Sequence, residues 1–169
     1  MDIQPIATFH SPFASKFGIP KQSGIIQELS GKIVFCPAYR DPDALRGIEG
    51  FDYIWLIWGF SANRHAATSL LVRPPRLGGN KKVGVFASRS PFRPNGLGLS
   101  SVRIDRIERK SEQGPVIHVL GADLMDGTPI YDLKPYITFA DSHPDVCSGF
   151  VEERKWKKLQ VSLSAEYKE

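Results

Sequence analysis

Proline and glycine recur so closely that they break every apolar run into short pieces: thirteen prolines and fifteen glycines fall within 169 residues. Proline offers no N–H to a ladder and glycine no side chain to pack, so both mark the ends of elements rather than their middles. Short apolar runs between such signals favour many brief strands over long helices. Clusters of β-branched and aromatic residues place the candidate strands at 3–9, 32–37, 51–60, 82–88, 99–109, 116–125 and 159–166. In the fifth of these, Val102, Ile104 and Ile107 alternate with Arg103, Asp105 and Arg106. One short helix is expected over 41–47, with Asp41 as cap, Pro42 at its first position and Gly47 ending it.

Sequential strands at hairpin-like spacing imply an antiparallel meander that closes on itself, which also removes exposed sheet edges. The expected fold is therefore mainly β: a single small antiparallel β-barrel over residues 1–169, with long functional loops and one or two short helices. Hydrophobic residues at 41% and charged residues at 24% suit one globular domain with its own core. Residues 51–60 are almost wholly apolar, so they are expected to form a central strand buried on both faces or covered by a partner subunit. Stacking on RNA bases is the weaker alternative there, because no basic side chain interleaves.

The loops at 11–24, 62–81, 89–98 and 126–136 collect the unusual residues, and long loops in a compact domain often carry function. No apolar run approaches the roughly 20 residues that span a bilayer, and the first residues lack a signal-peptide pattern, so a cytoplasmic location is expected. Cys36 and Cys147 lie far apart and are read as reduced packing residues, while His10, His65, His118 and His143 lack metal-ligand spacing. No metal is expected.

Net charge is only +4, but its distribution is uneven. Between Asp52 and Asp105 there is no acidic residue, while Arg64, Arg73, Arg76, Lys81, Lys82, Arg89, Arg93 and Arg103 all lie there. Such segregation creates a positive field suited to a phosphate-bearing partner, although a solvated basic face would look the same.

Three stretches carry the chemistry. Residues 73–80 join Pro74 and Pro75 to Gly78 and Gly79 between Arg73 and Arg76, so that guanidinium and backbone N–H groups can converge on an anion. The Gly-Lys-Ser/Thr ending of a phosphate loop is absent, and Gly96-Leu97-Gly98 lacks the third glycine of a dinucleotide fingerprint. Residues 84–100 run from a strand into a proline-stiffened loop with Arg89, Arg93 and Asn95, offering bidentate donors and a base-edge partner. A structural turn with solvated arginines is the equal alternative. Residues 123–136 bring Asp123, Asp126, Thr128, Tyr131, Asp132, Lys134 and Tyr136 into one strand-and-loop unit, with a turn at Asp126-Gly127. If extended, alternation places Ile130, Asp132 and Lys134 on one side and Tyr131, Leu133 and Pro135 on the other.

At these motifs the chain resembles the TsaA-like (YaeB-like) family, S-adenosylmethionine-dependent tRNA methyltransferases, over roughly residues 3–165. The marks are Phe13 with residues 16–22, then 73–80, 86–95 and 126–136. The resemblance implies a β-barrel, a homodimer, S-adenosyl-L-methionine as cofactor and N6-threonylcarbamoyladenosine beside the anticodon of threonine tRNA as target. It implies cofactor contacts from Pro20, Lys21 and Gln22, from Ser61 and Ala62, from Arg89 and Leu99, and from Asp126, Gly127, Thr128 and Pro129. Lys21 and the Ser61-Ala62 pair depart from the family's Arg and His-Gln, and the C-terminal extension of longer bacterial relatives is mostly absent. Arg73, Arg76, Lys81, Lys82, Arg93 and Asn95 are the expected tRNA contacts. Asp132, Lys134 and Tyr136 are the expected catalytic group, with Asp132 or Asp126 as proton acceptor. The alternatives are a non-catalytic RNA-binding barrel and a methyltransferase acting on another nucleoside or a small metabolite.

Overall fold

The computed structural model describes residues 2–63 and 69–152. Six strands form the body: β1 (Ala7–His10), β2 (Ser30–Phe35), β3 (Tyr53–Gly59), β6 (Leu97–Glu108), β7 (Val116–Leu120) and β8 (Thr128–Pro135). Two more, β4 (Leu71–Val72) and β5 (Val83–Gly84), pair only with each other among the described residues. All these pairings are antiparallel, in the order β1-β2-β7-β6-β3-β8, and β8 returns to β1 to close a barrel. The expected strand at 159–166 lies outside the described residues.

Alternation within each strand turns one set of side chains inward. Ala7, Phe9, Ile33, Phe35, Ile54, Leu56, Trp58, Val102, Ile117, Val119 and Ile130 fill the interior, with Leu45, Ile48, Ala122 and Leu124 packed at its ends. Phe9, Ile54 and Leu56 are completely buried, and each such side chain contributes roughly 1.5–3 kcal/mol relative to exposure.

Both β6 and β8 carry a bulge, where an extra residue breaks the period of two. In β6 the register shifts between Ile104 and Arg106, which leaves Asp105 and Arg106 both exposed and explains the three-residue step from Ile104 to Ile107. In β8 the shift falls at Tyr131: Ile130 pairs with buried Trp58, whereas Asp132 pairs with Ile57 on the outer face. Strict alternation had put Ile130 and Asp132 on one side. The bulge separates them, and only Asp132 and Lys134 share the outer face.

Other expectations shift for local reasons. The segment 126–136, expected as a loop, is strand from Thr128 because its prolines do little harm. Pro129 sits beside the bulge and has a register partner, Thr8, on β1 alone, and Pro135 is the last strand residue. Residues 82–88 give only the two-residue β5, followed by a 3-10 turn at Val85–Ala87. The stretch from 116 leaves the sheet at Gly121, whose φ of 77° suits glycine alone. The expected helix at 41–47 is a 3-10 turn, Pro42–Leu45, capped by Asp41 accepting from the Asp43 N–H at 2.9 Å. It ends at Arg46, and Gly47 opens the next turn instead. A four-residue helix, α1 (Thr138–Asp141), appears where none was foreseen. β3 is central, between β6 and β8, but only one face is buried: Trp55 and Ile57 are half-exposed outside. Cys147 is exposed rather than packed.

Candidate active site

A cleft of about 750 Å³ opens where the outer face of β3 and the start of β6 meet four loops. Its apolar lining comes from Trp55, Ile57, Trp58, Phe60, Leu97 and Met125, and its rim carries Lys16, Lys21, Arg89 and Arg93. The close approach of β6 to Trp58 depends on Gly98. A Cβ there would lie 2.3 Å from the indole, so any side chain would push the ring away.

The loop from 11 to 24 is held to the barrel by Asp126. Its Oδ1 accepts from the Ser11 N–H at 3.2 Å and lies 3.1 Å from His10 Nδ1, while its own N–H donates to the Phe13 carbonyl at 2.9 Å. Gly127, with φ 75°, donates to Phe9, and the Thr128 hydroxyl caps the turn by donating to the Met125 carbonyl at 2.7 Å. Across the cleft mouth Arg89 Nη1 donates to Gln22 Oε1, joining this loop to the one that follows β5. Arg93 staples its own loop by donating to the Ser88 carbonyl at 2.9 Å and the Ser90 carbonyl at 3.4 Å.

Beneath the cleft runs a chain of polar contacts. Trp58 Nε1 donates to Ser100 Oγ at 3.0 Å, and Ser100 Oγ donates to Asp123 Oδ1 at 2.6 Å. Burial raises the Asp123 carboxyl above its ordinary pKa, against the opposing pull of Ser100, the backbone amides of Asp123 and Ser23, and the charge of Arg89.

The structure brings together most of the cofactor set that the sequence proposes. Pro20, Lys21, Gln22, Ser61, Ala62, Arg89, Leu99 and Thr128 all line this one cleft, although they come from five separate segments. Arg93 joins them from the expected tRNA set. Asp126, Gly127 and Pro129 are not among the lining residues: the turn is present, but its carboxylate faces His10 and Ser11. Arg73, Arg76, Lys81 and Lys82 lie on the β4–β5 ribbon and its turn, and Asn95 is on the loop after Arg93, all outside the lining.

Asp132 also lies outside the lining but opposite Ile57, which belongs to it. One of its oxygens accepts from the Leu133 N–H at 2.9 Å, and the other is 3.9 Å from Lys134 Nζ. Lys134 pairs across from Trp55, and the Tyr136 ring is 5.6 Å from the Trp55 ring. These three therefore continue the outer face beside the cleft. Sequence reasoning placed Asp123 in the 123–136 stretch without giving it a role and did not select Trp58 or Phe92, yet all three line the cleft. An acid between Ala122 and Leu124 in an otherwise apolar run was the available signal for Asp123. Among the described residues no group of three or more His, Cys, Asp or Glu side chains could hold a metal ion, and no helix is long and apolar enough to cross a membrane.

A closed antiparallel barrel with an apolar, basic-rimmed cleft at its loop end defines a small β-barrel domain with a cleft of the kind that holds a small molecule. The chain belongs to the family described as the tRNA-methyltransferase O N-terminal domain, whose model matches residues 8–142. It is 38% identical over 164 residues to the Escherichia coli (strain K12) protein named tRNA (adenine(37)-N6)-methyltransferase, covering 96% of this chain and 69% of that one. It is 36% identical over 154 residues to a Pyrococcus abyssi protein named "Probable S-adenosyl-L-methionine-binding protein", covering 91% of this chain and 78% of that one. The crystal structure of TrmO from Pseudomonas aeruginosa matches with a TM-score of 0.70 and 32% identity, over 88% of this chain and 61% of that one.

Proposed function

We propose that this chain binds S-adenosyl-L-methionine in the cleft and transfers its methyl group to the N6 nitrogen of N6-threonylcarbamoyladenosine beside the anticodon of threonine tRNA. The observation that carries this reading is the meeting of residues 20–22, 61–62, 89, 99 and 128 around one cleft. The names of the E. coli and P. abyssi relatives point to the same substrate class and cofactor.

The cleft fits such a cofactor. Trp58, Phe60, Leu97 and Met125 offer an apolar seat for a purine, and Lys21, Gln22 and Arg89 supply polar groups at the rim for hydroxyls and a carboxylate. The bound cofactor supplies an electrophilic methyl. The chain then has to align the acceptor nitrogen, keep water out and take one proton. That nitrogen is a weak nucleophile, because the purine and the urea carbonyl both drain its lone pair.

Asp132 is the proposed proton acceptor, with Lys134 holding its charge in place and Tyr136 bordering the acceptor side. Arg73, Arg76, Lys81, Lys82, Arg93 and Asn95 are the proposed tRNA contacts, with exposed Phe92 available to stack on a base. The enzyme is proposed to act in the cytoplasm as a homodimer, and the outward aromatic and apolar strip of Tyr53, Trp55, Ile57 and Leu99 supports the pairing of two copies.

Incubation with labelled S-adenosylmethionine and total tRNA, followed by nucleoside analysis, tests cofactor and substrate together. Label in N6-methylated threonylcarbamoyladenosine is expected. Tight RNA binding without transfer would favour the non-catalytic barrel, and label confined to small molecules would overturn the tRNA assignment.

A further inference from the structure

We propose that Asp123 and Arg89 form a clamp for an amino-acid zwitterion: Asp123 accepts hydrogen bonds from the α-ammonium of the donor's amino-acid part, and Arg89 donates to its carboxylate. This rests on the S-adenosylmethionine reading and names the subsite within it.

Among the described residues Asp123 is the one carboxylate lining a cleft whose other charged groups, Lys16, Lys21, Arg89 and Arg93, are cations. A cleft built only to attract an anion would gain nothing from a half-buried acid. That acid is costly to keep charged, as its burial-raised pKa attests. Among the described residues it forms no direct ion pair with a lysine or arginine, so its charge is not already neutralised within the fold.

Ser100 takes one lone pair of Oδ1 and is itself fixed by Trp58, which sets the carboxylate in one orientation. The Asp123 and Ser23 backbone amides also donate to the carboxylate, which leaves it room for a further donor, since each oxygen can take two hydrogen bonds. Arg89 is close enough to act on the Asp123 charge, and Gln22 holds its Nη1. An acid and a guanidinium that line one cleft without pairing to each other match a zwitterion, whose ammonium donates hydrogen bonds and whose carboxylate accepts a guanidinium fork.

The test is calorimetry with two neutral-sulfur compounds that share the adenosine: S-adenosylhomocysteine, which keeps the amino-acid part, and 5′-methylthioadenosine, which lacks it. Asp123→Asn is expected to lower S-adenosylhomocysteine affinity tenfold or more while leaving methylthioadenosine affinity within twofold. If both affinities fall together, or neither changes, the clamp is rejected.

A measurement on the unaltered chain stands beside the variant in case the Asn protein does not fold. Asp123 faces Ser100, the Ser23 backbone, Arg89 and the cleft cations Lys16, Lys21 and Arg93, and because burial raises its pKa it takes up its proton at a higher pH than an ordinary carboxylate does. S-adenosylhomocysteine binding should weaken on acidification as methylthioadenosine binding stays flat, and a flat response to both overturns the proposal. A chain that binds neither compound overturns the methyl-donor reading itself, whereas pH- and Asp123-insensitive binding of both overturns the clamp alone.

Discussion

Trp58 and Ser100, 42 residues apart, are joined by a 3.0 Å hydrogen bond that ties the barrel interior to the floor of the cleft. The Ser100 hydroxyl both accepts from the indole and donates to Asp123. Ser100→Ala strands a buried donor and weakens the hold on a buried carboxylate. The expected loss is about 1–3 kcal/mol, seen as a fall of roughly 2–12 °C in melting temperature. A melting curve identical to that of the parent chain would show that water replaces the hydroxyl without cost.

Gly98→Ala should damage the cleft without touching a polar group. The new methyl would meet the Trp58 ring at 2.3–2.7 Å, against β-sheet backbone that cannot yield, so the indole must rotate out of place. A drop in stability of about 1–3 kcal/mol is expected, together with altered Trp fluorescence and weaker cofactor binding. Unchanged fluorescence and binding would refute it.

Two acids should bend the pH dependence of stability in opposite directions. The Asp123 pKa is raised by burial, so the folded chain binds that proton more tightly than the unfolded chain. Stability therefore falls as pH rises from the unfolded carboxylate value, about 3.9, through the higher folded value. Asp141 is the reverse: the Ile137 N–H at 2.8 Å and Trp55 Nε1 at 3.0 Å lower its pKa. Its contribution is complete above the ordinary carboxylate pKa and is lost as pH falls through the folded one. Thermal melts across pH should show Asp123→Asn gaining on the parent as pH rises, and Asp141→Asn losing its disadvantage in acid.

Asp132→Asn should bind cofactor and tRNA nearly normally yet lose single-turnover methylation by ~100-fold, the usual scale for a missing proton acceptor. Its carboxylate lies on the outer face opposite Ile57, so loss of the charge leaves the core intact. Near-normal turnover would reject it as the base and leave alignment by the cationic rim as the explanation.

Replacing both Lys81 and Lys82 by Ala should flatten the salt dependence of tRNA affinity, by about 0.7–0.9 in log–log slope for each phosphate no longer neutralised. Both side chains are exposed beside β5, away from the cleft lining, so cofactor affinity should not change. An unaltered slope would mark this ribbon as a solvated basic face.

The barrel was legible because its strands obey a local rule: proline and glycine end them, and buried positions recur within them. Where an extra residue enters, the rule misleads about direction. Ile104 to Ile107 showed its bulge openly as a three-residue step, whereas Ile130 to Asp132 did not, since Asp132 can face either way until its partner Ile57 is known. The cofactor set came through resemblance, because nothing local in Gln22 announces Arg89, 67 residues later. Asp123, noted within the 123–136 stretch, was left without a role for a similar reason. Its worth depends on Ser100 and Arg89, neither of them a sequence neighbour.

Closure of the ring has a consequence for how the chain is made. β8 fills the gap between β1 and β3, so while a ribosome has released fewer than about 130 residues, two strands wait with unpaired amides. One of them, β3, carries Trp55 and Ile57 on its outer side, next to the seam. A nascent chain stalled before Thr128 would offer a sticky double edge to any passing strand. A pause that holds Thr128–Pro135 inside the ribosome should therefore produce aggregates, whereas a pause after Pro135 has emerged should not.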